Sequence, residues 1–189
     1  MPLSPSVDEQ QRWLALARDS IAERWQGPRP APELTLGNQV VDAFVSLHID
    51  SRLRGCIGAT DAERPLKELI PRLARRCAFN DPRFPALEVD ELPRCQLEIT
   101  LLGPKRPLPA QSRAALLAAL EPGQGLLLCQ GERQALFLPQ VWQSLEDKGR
   151  FLDALLHKGG WSTWPDGMAA YTFDALVVQD GLGGPESHP

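Results

Sequence analysis

A thiol, a guanidinium and two glycines fall within six residues of this chain, in Leu53-Arg54-Gly55-Cys56-Ile57-Gly58. Glycines three apart in an extended run weaken a strand, and such positions mark a bulge or a close backbone approach by a ligand. In a regular strand Arg54 and Cys56 project from one face. A guanidinium beside a thiol favours the thiolate, which is the nucleophile. The same residues also fit a structural reading, with Cys56 a small buried hydrophobe and Arg54 an ion-pair partner. Asn80-Asp81-Pro82-Arg83-Phe84 is a second candidate. Pro82 pushes Asp81 into an extended or turn conformation, where its carboxylate accepts from nearby backbone N–H groups. Arg83 is then either a grip for an anionic ligand or a partner for Asp81 or Glu88. Lys158, just ahead of Gly159-Gly160, is a third. As cation and cap it suits a helix C-terminus, and it becomes functional only if drawn into a pocket.

Other chemistries lack their residues. The three histidines form no H-x-x-x-H or H-E-x-x-H pair, no carboxylates have metal-site spacing, and the four cysteines form no C-x-x-C, so no metal site is expected. Gly55-x-x-Gly58 is too short for a dinucleotide fingerprint, and there is no P-loop or G-x-S-x-G elbow. Arg72, Arg75, Arg76 and Arg83 cluster beside Phe79 and Phe84, a pattern that fits RNA phosphates with base stacking or, more commonly, a solvated helix face. A net charge of −4 counts against a polyanion partner for the whole chain. Trp161 and Trp164 bracket a loop and line either a pocket or the core.

The elements that must position these groups follow from periodicity. Ser6 and Glu9 form an S-x-x-E capping box ahead of a stripe of Trp13, Leu14, Ala17, Ile21 and Trp25, and Gly27 supplies a stop. Val40–Ile49 alternates as a strand with one buried face, Asp50-Ser51 turns the chain, and Arg52–Ala59 returns. The turn length decides the register. A two-residue turn sets Cys56 opposite Val45; a three-residue turn sets it opposite Ser46 and puts His48 opposite Arg54. A bulge is also compatible with the glycines, so the register stays open. A helix carrying Leu66, Leu69, Ile70, Leu73, Ala74 and Cys77 follows, with Pro71 expected to kink or split it.

Residues 79–93 are expected to be irregular, Cys95–Leu102 to form a strand, and Ser112 to cap a short helix. Gly125–Gln130 and Gln134–Leu138 flank a tight turn, Pro139 opens a helix, Phe151–His157 is helical, and Ala169–Val178 is one last strand. Hairpins without strict strand–helix alternation define an α+β fold on antiparallel or mixed sheets with flanking helices. With 189 residues and 43% hydrophobic composition the chain supports a sizeable core without metals or disulfides. Residues 181–189 are expected to be a flexible tail. The N-terminus lacks a basic then apolar leader, no stretch reaches membrane-spanning length, and the thiols are scattered, so the expected compartment is the cytoplasm.

Taken in order, these segments resemble the AMMECR-one domain family, the A component of the bacterial AmmeMemoRadiSam system. The hexapeptide matches its hallmark L-R-G-C-I-G. Asn80–Phe84 resembles D-P-R-F, Glu98–Leu102 resembles E-I-S-V-L, Gly125-Leu126 sits at a G-L hairpin, Leu138-Pro139-Gln140-Val141 matches L-P-Q-V, and Phe151-Leu152 with Lys158-Gly159-Gly160 resembles F-L…K-A-G. The resemblance spans roughly residues 10 to 180. It implies one domain over 1–180 made of two interleaved subdomains with a cleft between them, gathering the hexapeptide and polar neighbours. Cys56 and Arg54 become catalytic candidates, and Gly55, Gly58, Asp81, Arg83, Gln140 and Lys158 ligand-binding candidates. The implied partners are a Memo-like protein and a radical SAM protein; no cofactor is specified. The alternatives are a non-enzymatic adaptor, or an RNA-binding regulator of the kind suggested for eukaryotic relatives. Gly159-Gly160-Trp161 departs from the usual A-G-L, and Pro122-Gly123-Gln124 stands where the family often carries a basic or histidine-containing stretch.

Overall fold

The computed structural model describes residues 3–60 and 62–180. The expected tail at 181–189 lies outside the described residues. Two compact units make up the chain, one of residues 3–102 with 176–180 and one of 103–175. The fold is α+β, as the periodicities imply.

In the first unit, α1 (Val7–Gln26) and α2 (Leu66–Phe79) accompany a four-stranded sheet of β1 (Ala43–Ile49), β2 (Arg52–Ala59), β3 (Gln96–Leu102) and β8 (Ala175–Gln179). Its strand order is β2-β1-β3-β8, so β2 is an edge. Val45, Leu47, Leu97 and Ile99 are fully buried on one face, against Trp13, Ala17 and Ile21 of α1 and Leu66, Ile70 and Leu73 of α2. Each such large side chain contributes on the order of 1.5–3 kcal/mol by leaving water.

α1 starts and stops where its sequence says. Ser6 Oγ accepts from the Glu9 N–H at 3.1 Å, and Gly27 caps the end with a φ of 76°. The reciprocal half of the capping box is absent. Glu9 is buried, and its carboxylate accepts instead from the Trp13 indole (3.1 Å) and from the Thr35 and Leu36 N–H groups (3.0 and 2.9 Å). Burial alone would raise its pKa; the Leu36 and Thr35 amides and the indole overcome this and hold it below the usual value. α2 runs unbroken through Pro71 rather than splitting. Proline removes one N–H of the helical ladder, and the buried stripe on either side outweighs that loss.

The second unit holds β4 (Arg106–Leu108), α3 (Arg113–Ala119), β5 (Gly125–Gln130), β6 (Arg133–Phe137), α4 (Lys148–Lys158) and β7 (Ala169–Phe173). Its sheet order is β4-β7-β5-β6. Pro139 opens a 3₁₀ helix, Pro139–Gln143, at its first turn. The single strand expected over Ala169–Val178 is two. β7 pairs with β5 and β4, the chain breaks at Asp174, and β8 joins the other sheet. At the break, Asp174 accepts from the Gly103 N–H at 2.7 Å and its carboxylate pairs with Arg106. Apolar alternation is the same for strands of either sheet, so it cannot show a change of sheet.

Candidate functional site

The hairpin that carries Cys56 turns on Asp50 and Ser51, both with positive φ (50° and 63°). Left-handed geometry at both turn residues matches the twist of a two-residue hairpin. Ile49 then faces Arg52 and His48 faces Leu53, but Leu47 faces Gly55, so Arg54 is a bulged residue without a partner on β1. The register therefore combines the two expectations: the turn is the short one, yet Cys56 lies opposite Ser46. One extra residue in the strand reverses the face of everything after it. His48 is not opposite Arg54, which removes the Cys–His pairing that a longer turn implied.

The bulge also separates Arg54 from Cys56. The Arg54 side chain is 14% exposed and makes a bidentate pair with Glu91, from Nε to Oε1 (2.8 Å) and Nη2 to Oε2 (2.9 Å). It donates further to the Pro85 and Ala86 carbonyls. Hydrogen bonding to Glu91 raises its pKa further and holds Glu91 below the usual carboxylate value. Arg54 thus fastens the segment after α2, and the expectation that it shares a face with the thiol is corrected.

The guanidinium at Cys56 is that of Arg83. β2 is an edge strand, so Cys56 turns its N–H and C=O away from β1. The Asp81 carboxylate accepts that N–H at 2.9 Å, and Arg83 Nη2 donates to that carbonyl at 2.9 Å. Two side chains here do the work of a neighbouring strand. They are locked to each other, with Arg83 Nε and Nη2 on Asp81 Oδ1 and Oδ2 at 3.0 and 2.7 Å and the Arg83 N–H on Oδ1 at 3.1 Å. The Asp81 side chain is 1% exposed. The Arg83 side chain holds its pKa well below the ordinary carboxylate range; burial opposes this and the Cys56 and Arg83 amides reinforce it. Of the alternatives for Arg83, pairing with Asp81 is realised.

With its backbone facing outward, Cys56 forms a close, non-hydrogen-bonded pair with Ser46. Ser46 Oγ donates to Cys56 Sγ at 3.2 Å. Ser46 is buried and Cys56 half-buried. The glycines serve packing. A Cβ on Gly55 would lie 2.5 Å from the Cys77 carbonyl oxygen and 3.0 Å from its sulfur, and a Cβ on Gly58 would enter the Phe44 ring. Cys77, beneath Gly55 in the core, is pushed up to about 12, chiefly by burial.

The structure therefore gathers Arg54, Gly55, Cys56, Gly58, Asp81 and Arg83 around one edge of one sheet. Gln140 and Lys158 belong to the other unit. Gln140 Oε1 is buried and accepts no hydrogen bond among the described residues. Lys158 Nζ donates to the Leu136 carbonyl at 2.8 Å and lies 5.1 Å from the Phe137 ring centroid. A cavity of about 370 Å³ in that unit is lined by Pro107, Leu108, Met168 and Tyr171, among others, and by none of the candidates.

Trp161 belongs to the core, its indole donating to Gln130. A Cβ on Gly159 would strike its ring, so glycine at 159 and tryptophan at 161 are one coupled change from A-G-L. Phe79 is already used by Trp25 and Arg24, and Arg75 pairs with Glu23, which leaves the basic cluster without a free stacking platform at Phe79. No group of three or more His, Cys, Asp or Glu among the described residues has the geometry to hold a metal ion. No helix among them is long and apolar enough to cross a membrane.

Comparison with known proteins places this fold. The model of the AMMECR1 family matches residues 14–178, and the chain belongs to that family. It is 33% identical to a Methanothermobacter thermautotrophicus protein over 144 residues, 72% of this chain and 73% of that one. A Methanopyrus kandleri protein is 28% identical over 191 residues, covering 93% and 90%. A crystal structure of a Pyrococcus horikoshii protein superposes with a TM-score of 0.78 at 25% identity, covering 90% of both chains.

Proposed function

We propose that this chain is a cytoplasmic ligand-binding or catalytic component that works beside Memo-like and radical SAM proteins, and that Cys56 is the residue its ligand meets. One observation supports this above the others. Arg54, Asp81 and two of the three nitrogens of Arg83 are committed to internal hydrogen bonds, whereas the half-buried Cys56 sulfur has one partner among the described residues, the Ser46 hydroxyl. A buried carboxylate and a guanidinium hold the backbone on both sides of that sulfur, which is preorganisation of a reactive group. Gly55, Gly58, Asp81 and Arg83 are positioning residues in this reading. Gln140 and Lys158 enter it only through the family resemblance. Four scattered cysteines with no C-x-x-C pair fit a reducing compartment.

The test is the rate of Cys56 alkylation by iodoacetamide across pH, followed by peptide mass, in the folded and the urea-unfolded chain. Faster modification in the folded chain at neutral pH supports the proposal. Equal or slower modification at every pH removes it.

A second reading is the non-enzymatic adaptor. The two glycines favour it, because each makes room for a neighbour inside the protein and so shapes the backbone without any ligand. On that reading Cys56→Ser still captures the Memo-like and radical SAM proteins from solution while Gly55→Val does not. Loss of function from the serine variant alone, with capture intact, sinks it.

A further inference from the structure

On the face of the sheet away from the core, β1 pairs Ser46 with Cys56 on one side and with Glu98 of β3 on the other. Cys56, Ser46 and Glu98 thus form one row across three strands. At the usual strand spacing their outer members are about 10 Å apart at Cα, with a buried serine between them. Glu98 is half-buried, and the one hydrogen bond its carboxylate accepts among the described residues comes from the buried Thr100 hydroxyl, at 3.4 Å to Oε1. It has no ion-pair partner among the described residues. A carboxylate partly withdrawn from water is ordinarily paired with a cation or several donors. The charges nearest Cys56, those of Asp81 and Arg83, are spent on each other. His48 lies on the same face, two residues along β1, with Gln96 opposite.

We propose that Glu98 is a ligand-binding residue of the Cys56 site, and that the site takes ligands bearing a cationic or N–H-donating nitrogen that Glu98 accepts while an atom beside it meets the Cys56 sulfur. This rests on the reading that Cys56 faces a ligand. It adds the chemical class. Seated over Ser46, such a ligand supplies the cationic partner the carboxylate lacks among the described residues.

The probes are two methanethiosulfonates of equal reach and opposite charge, trimethylammonioethyl and sulfonatoethyl. The Cys56 thiolate bonds to the probe's divalent sulfur and methanesulfinate leaves, giving a mixed disulfide with no added oxidant. Rates at Cys56 are read by peptide mass in the wild type, Glu98→Gln and Glu98→Asp. Removing one charge at this separation slows the cation and speeds the anion, so the cation-to-anion ratio falls about threefold to tenfold in Glu98→Gln. Glu98→Asp keeps most of the wild-type ratio. Cys77 stays unmodified in any variant that folds, and a variant that exposes it is set aside in favour of the other. An unchanged ratio in Glu98→Gln, or an equal fall in Glu98→Asp, overturns the role of Glu98 and leaves the Cys56 reading standing. Failure of both probes to modify wild-type Cys56 overturns the Cys56 reading itself.

Discussion

Asp81→Ala is the sharpest probe of how the hexapeptide is held. The carboxylate accepts four hydrogen bonds, from the Cys56 and Arg83 amides and from Arg83 Nε and Nη2. Each backbone bond to a charged acceptor contributes on the order of 1 kcal/mol or somewhat more. The Arg83 side chain is 55% exposed and finds water once released, so its two bonds together add only about 1 kcal/mol. The expected loss is about 3 kcal/mol, or roughly 6–12 °C in Tm for a chain of this size. The effect is also local. The Cys56 amide has no strand partner to fall back on, so its hydrogen exchange in the folded state accelerates while that of β3 amides does not. The pH dependence has a definite sign. Asp81 is held well below its ordinary pKa, so its contribution is complete above the unfolded carboxylate value of about 3.9 and declines as pH falls below it. The gap between wild type and variant is therefore flat near neutrality and narrows in acid. Urea melts from pH 3 to pH 7 and exchange measured by mass spectrometry read both effects. An unchanged midpoint with the Cys56 amide still protected, or a gap that does not narrow in acid, refutes the account of the edge strand.

Gly55→Ala puts a methyl 2.5 Å from the Cys77 carbonyl, a backbone atom of α2 that cannot move alone, and costs about 1–3 kcal/mol in urea melts. Gly58→Ala meets the Phe44 side chain, which can rotate, and costs less. Arg54→Ala strands Glu91 and frees the segment at residues 85–91, with a loss of about 2–3 kcal/mol and faster proteolysis there; Arg54→Lys does not rescue it, because a single ammonium cannot make the bidentate pair. Cys77, pushed up to about 12, stays protonated at pH 8, so iodoacetamide labels Cys56 in the folded chain and reaches Cys77 only on unfolding.

Much of the molecule is legible along the chain because its signals are local. Ser6 and Gly27 bound α1, the alternations at Ala43–Ile49 and Gln96–Leu102 mark strands with one buried face, and Gly131-Glu132 turns a hairpin. The candidate site was legible as a set of residues and not as an arrangement. Two residues of separation suggest a shared face for Arg54 and Cys56, and the bulge cancels that. Glu98 stood out only as the first residue of a motif resembling E-I-S-V-L and not as a site residue, since its place beside Ser46 depends on which strand lies next to β1.

Composition and short-range pattern determined the α+β class, the caps, the turn at Asp50-Ser51 and the residues available for chemistry. These depend on interactions within a few residues, which the order of side chains specifies directly. Only the tertiary structure decided that Arg83 rather than Arg54 holds the Cys56 backbone, that Glu9 leaves its own helix end to hold Leu36, and that the chain changes sheets at Asp174. Each of those outcomes is a competition among partners distant in sequence. It is won by the geometry that pairs the buried polar groups of these particular residues, and that geometry exists only once the strands have chosen their neighbours.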